Sequence, residues 1–131
     1  MAISLELEKF LTQVSQREQE LLDKVIELGT KHPNARYEKS TEENSVLQGC
    51  YYTKIACGPG HGCIVGQALQ SLFPDSRDLI GQLDHTAGGN YDMVMGTVGL
   101  DSPISDKIRD IQRHQDSGKT WGLAIAIAQL E

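Results

Sequence analysis

Aromatic residues, basic runs, cysteines and long apolar stretches are all scarce in this chain, and each shortage narrows what it can do. Aromatics make up 5% of the 131 residues, with Trp121 the single tryptophan and Phe10 and Phe73 the only phenylalanines. The core must therefore be mostly Leu, Ile, Val and Ala. There is no run of Lys or Arg and the net charge is -6. Without a basic patch to release counterions from a phosphate backbone, duplex nucleic acid is not expected as a partner. A small phosphate remains compatible, because a few backbone N–H groups can hold one inside an acidic protein. No apolar run approaches the roughly 20 residues that span a bilayer, and "LAIAIAQL" near the end is far too short, so no membrane role is expected. The cysteines are three, Cys50, Cys57 and Cys63, and "MAISLELEKF" lacks the basic start and apolar core of a secretory signal. The expectation is a cytosolic protein with reduced thiols. At this length one domain over 1–131 can bury a core without disulfides.

Helical periodicity is the main signal present. Apolar residues at Leu7, Phe10, Leu11, Val14, Leu21, Leu22, Val25 and Leu28 predict one long helix over 5–28, or two joined near Arg17 and Glu18, with Gly29 and Pro33 as a stop. Glu6, Lys9, Gln13, Glu20 and Lys24 form its solvated face. The polar 34–45 stretch reads as a loop, and "VLQGCYYTKIAC" (46–57), rich in Val, Ile, Tyr and Thr, as a strand or hairpin broken at Gly49. Ile64, Val65, Ala68, Leu69, Leu72 and Phe73 mark a buried helix closed by Pro74, and "DSRDLIGQL" a short helix capped by Asp75. Asn90 is placed to cap 91–98, which reads as helix or, from alternating Met93, Met95 and Thr97, as strand. Ser102, Pro103, Ile104, Ile108, Ile111 and Gly118 describe the clearest helix. Thr120 caps the last one, led by Trp121 as a core anchor.

The densest chemistry is "CGPGHGC", 57–63, with two thiols, an imidazole and three glycines. As a zinc site it would use Cys57, His61 and Cys63, with Cys50, His85 or His114 as the fourth ligand. The C-x3-H-x-C spacing lacks the paired C-x2-C knuckle. As a catalytic site it would use Cys63, activated at a helix start, with His61 or His85 as base and Asp84, Asn90 or Asp92 to orient it. As an anion loop it would use the N–H groups of Gly58, Gly60 and Gly62, without the Lys-Ser/Thr ending of a P-loop. Each has a plainer counterpart: a tight "GPG" turn, and a Cys63 packed in the core. Of Tyr51 and Tyr52, on opposite faces of a strand, one is left to stack on a ligand.

"YYTKIACGPGHGCIVGQAL", "GGNYDMVMGTVGL" and "IQRHQDSGKTWGLAIAIA" together resemble a set of small proteins of actinobacterial phages and related mobile elements. Those proteins share a C-[IVL]-[VIL]-G-x-A-L helix, a later Asn-led segment and a closing Q-D-x-G-x-x-W stretch. The resemblance runs from Val46 onward and falls on Cys63, Ile64, Val65, Gly66, Ala68, Leu69, Asn90, Gln115, Asp116, Gly118 and Trp121. It implies a phage origin and packing or capping roles for those residues, and no particular reaction. Cys57 and His61 lie outside the shared pattern.

These readings lead to an α+β fold, a mainly helical single domain with a small β-hairpin, forming a homodimer through its first or last helix. The expected function is that of a non-enzymatic phage accessory protein in the host bacterial cytosol. It would bind a host protein, or sequester a nucleotide-like signalling molecule as a counter-defence at Tyr52, Gly58, Gly60, His61 and Gly62, with no cofactor. The alternative is a cysteine-dependent hydrolase or transferase built on Cys63.

Overall fold

The structure, a computed structural model, describes residues 4–36, 63–83 and 91–130. Seven helices account for most of them: α1 (Leu5–Gln16), α2 (Glu18–Lys31), α3 (Ile64–Leu72), α4 (Arg77–Gln82), α5 (Tyr91–Thr97), α6 (Pro103–Asp116) and α7 (Trp121–Leu130). A 3-10 turn, Pro74–Ser76, links α3 to α4. The fold is all-α, which corrects the expected α+β class: among the described residues there is no strand or sheet. The hairpin expectation rested on the composition of 46–57, which lies outside the described residues. The alternative strand at 91–98 fails because Tyr91, Val94 and Met95 recur at helical spacing and are all buried.

The N-terminal periodicity resolves into two helices. Ser4 caps α1 by accepting the Leu7 N–H at 3.1 Å. The chain then leaves helical geometry at Arg17, whose φ is -116° and ψ 25°. Its guanidinium lies 4.9 Å over the Phe73 ring, donates to the Leu72 carbonyl at 3.3 Å, and pairs with Glu20. Phe73 in turn meets Phe10 edge-on at 5.3 Å, so two of the few aromatics fasten the α1–α2 joint to the end of α3. The Arg17 hydrogen bond holds the Glu20 carboxyl below its ordinary range. That exposed pair contributes a little stability at neutral pH, lost as pH falls through the carboxylate range.

Helices α2 and α6 form the centre. The first packs on α3, α6 and α7, the second on α2, α3, α5 and α7, while α1 lies against α4. Leu21 and Val25 of α2 and Ile108 and Ile111 of α6 are completely buried, each contributing about 1.5–3 kcal/mol. Gly29 is not the stop expected of it. The helix runs on to Lys31, and Gly29 is buried because a Cβ there would lie 2.0 Å from the Ile125 Cδ1 of α7. Positive φ does end two helices, at Gly99 after α5 (73°) and Gly118 after α6 (99°).

The turn after α2 holds the start of α7. Trp121 and Gly122 donate their amides to the carbonyls of Ala35 and Pro33 at 2.7 and 3.0 Å, and the Arg36 guanidinium reaches the Gly118 carbonyl. Trp121 is fully buried, edge-on to His32, as expected of a core anchor. Gly122→Ala would drive a Cβ to 3.0 Å from the Pro33 carbonyl oxygen and Cβ. Backbone cannot yield as a side-chain tip can, so overpacking should exceed the gain in helix propensity, for a net loss of about 1–2 kcal/mol in urea unfolding.

Candidate functional site

Most of the residues singled out in the sequence, namely Cys50, Tyr52, Cys57, Gly58, Gly60, His61, Gly62, Asp84, His85 and Asn90, lie outside the described residues, as does the side chain of Asp92. Cys63 and His114 are described. His114 is half-buried in the last turn of α6. Cys63 is the residue before α3, fully buried and with extended backbone. It is disulfide-bonded, with its partner outside the described residues, which overturns the expectation of reduced thiols at this position. A sulfur in a disulfide offers no thiolate nucleophile. Among the described residues no group of three or more His, Cys, Asp or Glu could hold a metal ion. Among them, too, no helix is long and apolar enough to cross a membrane.

What the fold does build is a polar seam along the buried face of α6. The first amides of a helix have no intrahelical acceptor, and here α6 supplies acceptors to two neighbours. Gln115 Oε1 accepts the Ile64 N–H at the start of α3 at 2.7 Å, while its Nε2 donates to Asp116 Oδ1 at 2.9 Å and toward Cys63 Sγ at 3.7 Å. Three residues earlier, Gln112 Oε1 accepts the Tyr91 N–H at the start of α5 at 3.2 Å. Both glutamines are buried. The starts of α3 and α5, which follow the glycine-rich stretches 57–62 and 84–90 in sequence, are thus held at points one helical turn apart on α6.

The seam continues through the Tyr91 ring to a buried carboxylate. Glu18, 4% exposed at the first turn of α2, accepts hydrogen bonds from Tyr91 Oη at 2.6 Å, Ser102 Oγ at 2.5 Å and Ser105 Oγ at 2.6 Å. Its charge is balanced by these hydroxyls and by the positive end of α2, with no ion pair to Glu18 among the described residues. Ser102 does double duty, because its Oγ also accepts the Ser105 N–H and caps α6. Tyr91 is thereby held at both ends, its backbone by Gln112 and its phenol by Glu18.

Sequence reasoning missed Glu18, Gln112 and Ser105 as site residues, and took Gln115 only as part of a closing motif. The signal was available in the period. Glu18 stands four residues after Val14 and three before Leu21, an apolar position of the α1–α2 stripe, and Gln112 and Gln115 share a helix face with Ile108 and Ile111. Polar groups at core positions need partners, and two glutamines on the apolar face of a helix point to amides on the elements packed against it. No known family model, curated protein or solved structure matches this chain.

Proposed function

We propose that this is a non-enzymatic binding protein that takes a small nucleotide-like ligand at the two glycine-rich stretches that precede α3 and α5 in sequence. The observation that supports the reading is the pair of glutamine caps. Gln112 and Gln115 hold the starts of α5 and α3 one turn apart on α6, and the stretches that precede those starts in sequence carry five glycines, with their backbone N–H donors, and the imidazoles of His61 and His85. A phosphate is the group such donors suit. With a phage origin, as the resemblance implies, sequestering a host signalling nucleotide is the counter-defence role that fits. The fully buried, disulfide-bonded Cys63 favours binding over cysteine chemistry. In the host cytosol a disulfide is uncommon, and burial shields this sulfur from the attack that exchange requires.

The test is isothermal titration of the protein with nucleoside phosphates and cyclic dinucleotides, in the wild type and in Cys63→Ser. One of these should bind at micromolar or tighter affinity, and Cys63→Ser should retain that affinity within about threefold while unfolding at lower urea. No heat from any member of the panel would contradict the nucleotide reading, and an activity abolished by Cys63→Ser would restore the enzymatic one.

A further inference from the structure

Helix α7 is apolar on two faces. Trp121, Ala124, Ile125 and Ala128 are buried in the core. On the opposite side Leu123 and Leu130 stand 49% and 89% exposed, with Ala126 exposed and Ile127 half-buried between them. At 3.6 residues per turn these four fall within an arc of roughly 100°, one continuous stripe. A helix apolar all round is ordinarily covered on every side, and exposed apolar patches mark contacts. Helix α1 offers no equivalent: beyond Leu5 its exposed positions are Glu6, Glu8, Lys9, Thr12, Gln13 and Gln16.

We propose that the α7 stripe is the contact between two copies of this chain, with their α7 helices antiparallel about a two-fold axis between Ala126 and Ile127. Two features of the stripe select a second copy as its occupant. First, its spacing is the same in both directions. Positions 123, 126, 127 and 130 pair as 123 with 130 and 126 with 127, so each Leu123 meets the other copy's Leu130 and each Ala126 leaves room for an Ile127. An isologous interface requires such self-matching. Second, no charged residue occurs over 121–130, in a chain of net charge -6. Two acidic molecules meet there without like-charge repulsion, while a charged partner finds nothing to pair with. A lipid surface fits less well, because interfacial helices carry Lys and Arg along their polar face, and α7 has neither. Four side chains cover less than the about 800 Å² that each partner gives a stable interface, so the dimer exchanges, with a dissociation constant on the order of 100 µM.

The test is sedimentation velocity of the full chain from about 10 µM to 1 mM, a range that brackets that constant. The wild type is expected to rise from the mass of one chain toward two. Leu123→Glu, which places a charge in the stripe, should weaken association at least about tenfold while leaving circular dichroism and urea midpoint unchanged. Ala126→Glu, at a second exposed position, should do the same, so a folding defect in either variant does not decide the outcome. A wild type that stays at one chain's mass throughout, or a dimer that survives both substitutions, would overturn the proposal.

Discussion

Replacing Glu18 with Ala is expected to destabilise the protein by about 3–4 kcal/mol, the largest loss from any single polar side chain described above. Hydrogen bonds to a charged group contribute roughly 1.5–3 kcal/mol each, and a buried hydroxyl left without a partner costs about 1–3 kcal/mol. Tyr91 and Ser105 are 2% and 0% exposed, so water cannot take the place of the carboxylate, whereas half-buried Ser102 can recover a water. Relief from desolvating the carboxylate works the other way, and it holds the net loss below the sum of the three bonds. Glu18→Gln keeps an acceptor and should cost less, about 1–2 kcal/mol, because its amide end faces a hydroxyl with a donor. Tyr91→Phe removes one bond alone and should cost about as much. A double-mutant cycle between Glu18→Ala and Tyr91→Phe, read by urea unfolding, should return a coupling of about 1–2 kcal/mol. Additive losses would show that the two side chains do not act as one network.

The second large effect is expected at Gln115. Gln115→Ala leaves the Ile64 N–H, at the buried start of α3, with no acceptor, and empties the space of the amide beside Cys63. The expected loss is about 2–3 kcal/mol. It should be local in a way the Glu18 loss is not. Amide hydrogen exchange should quicken at Ile64 and in the first turn of α3 well beyond the global change, because the cap orders that helix start. Gln112→Ala should cost less, about 1–2 kcal/mol, since its bond to the Tyr91 amide is longer at 3.2 Å and α5 is short. Uniform exchange along α3 in Gln115→Ala would mean that the amide finds another acceptor.

The helices were legible because their punctuation is local. Ser102 and Thr120 cap helices through their own side chains, and Gly118 ends α6 at positive φ, so a few adjacent residues carried those boundaries. Gly29 was misread for the converse reason. As punctuation it says stop, and only Ile125, nearly a hundred residues later, shows that it makes room for a neighbour. The polar seam was illegible for the same cause at a larger scale. Glu18 meets Tyr91, Ser102 and Ser105, and Gln115 meets Ile64, across separations that no local window spans. The β-hairpin was an inference from composition, and composition says that a segment suits a half-buried surface without saying which partner strand it has. Cys63 was correctly placed at a helix start, while its pairing depends on which sulfur lies near it in space.

Native mass spectrometry of the protein, isolated from bacterial cells without chelator, tests the binding function most directly, because one spectrum separates a bare chain from a chain with a ligand. The expected spectrum shows a retained mass of nucleotide size that is lost on denaturation. A bare chain would contradict the proposed function, and an added mass of zinc would contradict both it and the Cys63 disulfide, in favour of Cys57, His61 and a reduced Cys63 as a metal site.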